Sequence, residues 1–312
     1  MIRNKEVISE RTSMDNSITR YFPPRLQNAL SCVKLGGVTE IRLRCERALA
    51  LTAQGTVYVA ANGAAVQDPA RAIIVTTDEV RRTFDAVCQY SLHSWHEQIA
   101  QCYVTVSGGH RVGIGGTAVF SGNRTDTLRD IGSINFRIAR QIKGAADKLM
   151  STQTPHPRGL LVCGRPGSGK TTILRDLCRQ IGDRTNVTLI DERCEISASV
   201  RGVAQNDIGV NTDVLNGFPK HEGIFAALRV MSPRVIICDE IGGEDDIKAI
   251  LAAGRCGVEI IASMHCGAFE DIFRRSEIKR LIAGRIFSYA AFTENGAITR
   301  IMDISKHEAG NY

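Results

Sequence analysis

Residues Gly164 to Thr172 read Gly-Arg-Pro-Gly-Ser-Gly-Lys-Thr-Thr and follow directly on the apolar run Leu160-Leu161-Val162-Cys163. No other stretch limits the fold so strongly, because a G-x-x-x-x-G-K-[ST] loop works only between a strand and a helix. Its glycines let the backbone pass through positive φ and turn its N–H groups inward around a triphosphate. Gly164, Arg165, Pro166, Gly167, Ser168 and Gly169 form the cradle; Lys170 carries charge to the β- and γ-phosphates. Thr171, followed by Thr172, offers a hydroxyl to Mg²⁺, so ATP and Mg²⁺ are the expected ligands. Downstream, Ile173, Leu174, Leu177, Cys178 and Ile181 recur at helical spacing, with Arg175, Asp176, Arg179 and Gln180 on the opposite face. The N-terminus of that helix adds partial positive charge beneath the phosphates.

From Gly159 onward strand and helix patterns alternate. The strands are Leu160 to Cys163, Val187 to Ile190, Val235 to Cys238 and Val258 to Ala262; helices surround Ile224, Leu228 and Met231, then Ile247, Ile250 and Leu251. Alternation of this kind predicts an α/β domain with a mostly parallel sheet covered on both faces. Asn295-Gly296, between Ile286 to Thr293 and Ile298 to Ile304, predicts a hairpin at its end.

The first half predicts a smaller α+β domain. Ile41, Leu43 and Cys45 alternate with Arg42 and Arg44, and Val57 and Val59 follow the turn-like Gln54-Gly55. Thr76 and Glu79 form a capping box for a helix whose apolar face is Val80, Phe84, Val87 and Cys88. Tyr103 to Val106 and Arg111-Val112 flank a Ser107-Gly108-Gly109 turn, and Ile134, Phe136 and Ile138 alternate as a half-buried strand. Polar sequence with Pro155 and Pro157 marks a linker. The expected organisation is a flexible segment over 1–21, an α+β domain over 22–145, a linker over 146–158 and the nucleotide domain over 159–312.

In open α/β sheets ligands sit beyond the carboxyl ends of the strands, and the polar residues of this chain collect there. Val235-Ile236-Ile237-Cys238-Asp239-Glu240 has the form of a Walker B strand, with Asp239 suited to Mg²⁺ and Glu240 to directing a water. Asp191 and Glu192 end the strand after the loop helix and bring a second acid, Glu192, toward the same point; the bland alternative is a solvated turn. His265 ends another strand and is a candidate γ-phosphate sensor, or else an interior histidine with its bonds satisfied. Arg111, Arg137, Arg140, Arg201 and Arg229 are candidates for neutralising charge on a transferring phosphoryl group.

With 312 residues the chain is long enough for two domains with separate cores. Its net charge of +6 is too small to argue for nucleic acid or an acidic membrane surface, and aromatics at 5% are too few for a base-stacking platform. No apolar run approaches the roughly 18 residues that span a bilayer, and Met1 to Arg20 lacks the apolar core of a secretory signal. The 10 cysteines include no C-x-x-C pair and no zinc-type spacing; several lie inside apolar patterns, as small buried hydrophobes do in a reducing compartment.

The order of phosphate loop, Asp191-Glu192-Arg193, Walker B strand and His265 resembles the secretion-ATPase superfamily of type II and type IV secretion and pilus motors. More narrowly, Gly108-Gly109-His110-Arg111-Val112-Gly113-Ile114, the stretch from Arg201 to Gly209, Met231-Ser232-Pro233 and Cys238-Asp239-Glu240-Ile241-Gly242 resemble the stage III sporulation protein AA family. That resemblance runs from about Phe22 to Ile304. It implies a RecA-like domain hydrolysing ATP to ADP and phosphate, coupled to rearrangement of a ring homo-hexamer. It further implies a cytoplasmic protein, peripheral to the cytoplasmic membrane, bound to membrane-embedded channel proteins and powering or assembling a secretion-like channel during endospore formation. Carried onto this chain, Glu192 is the Asp-box acid, Glu240 the Walker B acid and His265 the centre of the histidine box. The superfamily usually has Gly where this chain has Asp239, which leaves Glu192 and Glu240 both open as the main catalytic acid. Ala262-Ser263-Met264-His265-Cys266-Gly267 also departs from the Thr-rich histidine box. Two other functions fit the same motif: an ATP-dependent nucleic-acid-binding or translocating protein, and an ATP-binding scaffold that does not hydrolyse.

Overall fold

The computed structural model describes residues 16–33, 37–53, 55–89, 96–122, 124–151, 159–268 and 270–305. Gln54, Pro155, Pro157 and most of the expected flexible segment therefore lie outside the described residues. The chain divides into two compact units, Met1–Ala139 and Arg140–Tyr312.

The first unit carries strands β1 (Glu40–Arg44), β2 (Arg47–Ala48), β3 (Ala50–Thr52), β4 (Thr56–Val59), β5 (Ala65–Val66), β6 (Ile74–Val75), β7 (Tyr103–Val106), β8 (His110–Ser121) and β9 (Arg124–Arg137). Its helices are α1 (Asn16–Thr19), α2 (Pro24–Ser31), α3 (Thr77–Val87) and α4 (His96–Ala100). One antiparallel sheet runs β5-β4-β3-β1-β9-β8-β7, and β2 pairs with β6. The alternation read from β1 has a physical basis in burial: Ile41 and Leu43 point into the core opposite Phe136 and Ile134 of β9. The Phe22 ring closes over Phe136 at 4.7 Å between centroids. At the start of α3 the Thr76 hydroxyl accepts from the Glu79 N–H, and the Glu79 carboxylate accepts from the Thr76 N–H at 2.9 Å. The hairpin after Tyr103 is present, yet its second strand is much longer than its apolar pattern suggests: beyond Gly115, β8 and β9 continue as a two-stranded ribbon to the Ser121–Arg124 pair.

The second unit carries α5 (Asp147–Met150), β10 (Leu160–Gly164), α6 (Lys170–Gly182), β11 (Val187–Asp191), β12 (Thr212–Asn216), α7 (Lys220–Val230), β13 (Val235–Glu240), α8 (Glu244–Arg255), β14 (Glu259–His265), α9 (Glu270–Arg274), α10 (Ser276–Ala283), β15 (Tyr289–Glu294) and β16 (Ala297–Asp303). The sheet order is β12-β11-β13-β14-β10-β15-β16, parallel throughout except for β16. Asn295 and Gly296, both at positive φ, form the tight turn between β15 and β16. The apolar residues of each strand alternate between two cores. Leu160, Val162, Leu189, Ile237 and Ile261 face α6, while Leu161, Cys163, Ile190, Cys238 and Ala262 face α7, α8 and α10.

One sequence expectation is corrected in this unit. Residues 146–150 do not belong to a linker: Ala146 and Leu149 are buried in the α6 core. The reason is Asp176, which sits on the face of α6 expected to meet water but is buried. Its carboxylate accepts the Ala146 N–H at 2.9 Å, the Arg179 guanidinium at 2.7 Å and the Gln180 amide at 2.9 Å. Burial alone would raise the Asp176 pKa; these donors outweigh it and leave the carboxyl below its ordinary value. β12, an edge strand that the sequence reading did not include, pairs in parallel with β11. Among the described residues the cysteines are free, and Cys88, Cys163, Cys178, Cys238 and Cys266 are buried as expected of small hydrophobes. Burial pushes the Cys88, Cys178 and Cys238 thiols up to about 12, so they stay protonated.

Candidate functional site: a phosphate loop beside a lysine-centred acid cluster

β10 ends at Gly164 and α6 begins at Lys170, so the glycine loop spans the strand-to-helix turn. Gly167 and Gly169 sit at φ of 74° and 101°, where side chains are strained. Gly169 has a further reason to be glycine: a Cβ there would lie 2.6 Å from the Gly296 Cα. The loop thus rests on the β15–β16 turn. The Gly296 N–H donates to the Ser168 carbonyl at 2.9 Å, the Ser168 and Thr293 hydroxyls bond at 2.8 Å, and Thr293 donates to the Cys163 carbonyl at 3.1 Å. Thr171 and Thr172 stand partly exposed in the first turn of α6.

Lys170 is buried, and its ammonium donates to the Gly164 and Arg165 carbonyls at 2.9 and 3.0 Å. Burial lowers its pKa, with the Glu240 charge opposing. The same ammonium lies 2.9 Å from Nδ1 of His265, whose Nε2 lies 3.1 Å from the Glu240 carboxylate. An ammonium only donates, so Nδ1 accepts and the ring proton sits on Nε2, donating to Glu240. Phosphate-loop lysine, histidine and Walker B acid therefore form one hydrogen-bonded line. Arg193 approaches the same Glu240 oxygen at 3.9 Å.

A β-bulge aims Glu240 there. Cys238 pairs with Ala262, but the next residue of β14, Ser263, pairs with Glu240 rather than Asp239. Ile237 and Ile261 face α6, so the residue opposite Ser263 faces α6 as well. Asp239 is the extra residue of the bulge, and it sends its carboxylate to Lys220 at 3.1 Å. The structure therefore gives the place beside Lys170 and His265 to Glu240, and places Asp239, read from sequence as a metal residue, in a second cluster.

That cluster centres on Lys220, the first residue of α7. Its ammonium, in a side chain only 4% exposed, lies 3.2 Å from Glu192, 3.1 Å from Asp239, 3.8 Å from Asp246 and 2.6 Å from the Glu240 carbonyl. Burial would lower the Lys220 pKa, but Asp239 and Asp246 hold it above its ordinary value. Asp239 is raised, first by burial and then, against Lys220, by the Asp191 and Glu192 charges. One ammonium does not neutralise three carboxylates, and an Asp239 oxygen is buried without a well-directed hydrogen bond. Sequence reading missed Lys220, though a signal was present: a lysine at the first position of a helix opposes the helix dipole and calls for nearby acids.

Asp191, by contrast, is structural. Fully buried, its carboxylate accepts the N–H groups of Glu195, Ile196 and Ser197 and the Ser197 hydroxyl, at 2.7 to 3.2 Å. It folds the loop after β11 and so places Glu192 at the cluster, which excludes a freely solvated turn at Asp191. Asp191→Ala strands these donors and is expected to cost roughly 3 kcal/mol in denaturant unfolding; Asp191→Asn, which keeps one acceptor oxygen, is expected to cost less.

The arginines singled out from sequence scatter. Arg111 stacks on Tyr103 in the first unit at 4.7 Å, Arg137 ends β9, and Arg140 opens the second unit. Arg201 lies in an exposed turn at positive φ, and Arg229 bonds the Phe225 carbonyl on α7. The arginines that do share a cavity with His265, of about 410 Å³, are Arg165, Arg274 and Arg275.

The residues fit MgATP. The positive-φ glycines leave an open cradle at Gly167, where a Cβ would meet nothing within 4 Å. The oxygens offered by the start of α6 and the ends of β11 and β13, from Thr171, Glu192, Asp239 and Glu240, are hard ligands. Among the described residues no three His, Cys, Asp or Glu side chains converge into a cage. Mg²⁺ suits such a site, because it is held by one or two protein oxygens plus phosphates and keeps its waters.

Residues 16–309 match the profile of the family described as "Sporulation stage III, protein AA". The chain belongs to this family. Its Bacillus subtilis relative, stage III sporulation protein AA, is 35% identical over 283 residues, covering 87% of this chain and 88% of the relative. The fold of this chain is also similar to those of solved ATPase and pilus-motor structures. The Legionella pneumophila ATPase DotB superposes with a TM-score of 0.52 at 16% identity, over 86% of this chain and 74% of that one. The pilus retraction motor PilT, solved with bound ADP, superposes with a TM-score of 0.54 at 15% identity, over 82% and 74%. The α/β, RecA-like architecture expected from sequence is therefore shown, and no helix among the described residues is long and apolar enough to cross a membrane.

Proposed function

We propose that this chain is an ATPase that hydrolyses ATP to ADP and phosphate with Mg²⁺, assembled as a ring homo-hexamer. The observation that carries this reading is the line from Lys170 through His265 to Glu240, which couples the group expected to grip the γ-phosphate to an acid facing the same place. The loop N–H groups and Lys170 bind the triphosphate, His265 reports on its γ end, and Glu240 accepts a proton from the attacking water. Bound Mg²⁺, near Thr171 and the acid cluster, would neutralise charge on the β- and γ-phosphates. Of the two acids open from sequence, Glu240 is the main catalytic one in this reading, because Glu192 is engaged with Lys220.

Family membership supports a role in endospore formation. The working picture is a cytoplasmic ring, peripheral to the cytoplasmic membrane, that powers or assembles a channel built by membrane-embedded partners. The 22–145 and 159–312 regions act in it as a mobile module and a motor domain. Light scattering with and without MgATP, read beside phosphate release, tests the proposal. A nucleotide-dependent hexamer with turnover is expected; a chain that neither assembles nor releases phosphate overturns it. Turnover stimulated by DNA, with affinity falling steeply as salt rises, would point to the nucleic-acid alternative.

A further inference from the structure

A buried lysine that binds both a main-chain carbonyl and the acids around it is an uncommon arrangement, because an ammonium loses most of its hydration on burial. At Lys220 the bonds are unequal. The shortest, 2.6 Å, goes to the carbonyl of Glu240, the residue next to the bulge. The others tie β13 to three elements: Glu192 follows β11, Asp246 lies in the first turn of α8, and Lys220 itself opens α7. Asp246 in turn accepts the Gly242 N–H at 3.0 Å, so the chain leaving β13 is held on both sides of Ile241.

A bulge needs such a hold, because a strand can also pair without it. In the regular register Asp239 would stand opposite Ser263, and the whole alternation beyond Cys238 would invert. Glu240 would then turn toward α7 and α8, away from Lys170 and His265. Val235 to Cys238 keep their partners in either register and do not oppose that slip; the apolar residue that does is Ile241, just beyond β13, which is buried in the core beneath α7 and α8.

We propose that Lys220 is the positioning residue of the hydrolytic site: by binding the Glu240 carbonyl and the Asp239 carboxylate it locks the bulge and keeps the Glu240 carboxylate on His265. This rests on the ATPase reading for its kinetic consequence but not for its structural one. Lys220 acts through Glu240, whose carbonyl it binds.

The test uses the full-length chain with Lys220→Met, which removes every bond, and Lys220→Gln, which keeps an N–H for the Glu240 carbonyl but no charge. Fluorescent ATP-analogue binding is expected to change little in both. Single-turnover phosphate release is expected to fall by about 100-fold in Lys220→Met, the scale of losing a positioned general base, and by less in Lys220→Gln. The activity-independent readout is the His265 ring in ¹⁵N-histidine NMR, assigned with His265→Gln. Its Nε2–H signal is expected to move in Lys220→Met without any nucleotide, as the Glu240 acceptor leaves. A folded Lys220→Met chain with an unmoved His265 signal and unchanged turnover overturns the proposal, as does loss of ATP binding together with turnover, which would make the lysine a general prop. If Lys220→Met does not fold, the same outcomes are read in Lys220→Gln. A wild-type chain without turnover whose His265 signal still moves in the variant sinks the ATPase reading and leaves the positioning role standing.

Discussion

Glu240→Gln is expected to bind ATP as the wild-type chain does and to release phosphate at least about 100-fold more slowly. The amide keeps the size of the side chain and an oxygen to accept from Nε2 of His265, now 3.1 Å from the carboxylate, so the cradle is undisturbed. What it loses is the ability to take a proton from water. Single-turnover phosphate release and analogue binding, measured on one preparation, separate the two effects. If Glu240→Gln hydrolyses normally while Glu192→Gln is inactive, the acid roles are the reverse of those assigned to the geometry.

Lys170→Ala is expected to fail one step earlier, at binding. The ammonium closes the loop by donating to the Gly164 and Arg165 carbonyls, and it is a buried positive charge within the loop itself. Its removal takes away the phosphate's charge partner and leaves Nδ1 of His265 without its donor, while the Gly164 and Arg165 carbonyls keep only the N–H groups of Cys266 and Ser168. A loss of at least about 100-fold in ATP affinity is expected, on the scale of several charge-assisted hydrogen bonds. Isothermal titration with a non-hydrolysed analogue checks it, and near wild-type affinity would mean that the loop N–H groups alone hold the triphosphate.

The contrast between those variants shows which parts of the site were legible in the sequence. The phosphate loop, Walker B strand and His265 could be read because each follows an apolar strand directly, and chain order fixes their place at the carboxyl edge of a parallel sheet. The bulge at Asp239 was not read: its trace is the odd spacing from Cys238 to Ile241, which share one core, and this single extra residue decides which acid meets the histidine. Lys220 was hidden because its partners come from Glu192, Asp239 and Asp246, three separate segments. Asp176 escaped because an acid on a helix reads as solvated until another segment is known to cover it. In the first unit, the outer half of the β8–β9 ribbon carries Gly115-Gly116 and polar residues, so it lacks the alternation by which β1 announced itself.

The phosphate loop rests on the β15–β16 turn, and this limits how the second unit can be cut or altered. Ser168 and Gly169 are shaped by Thr293 and Gly296, more than a hundred residues downstream. A chain ending before that hairpin would retain every letter of the nucleotide motif while missing the floor on which it is built. Changes in that hairpin therefore reach the phosphate loop directly, and a lesion at Gly296 should resemble one in the motif itself.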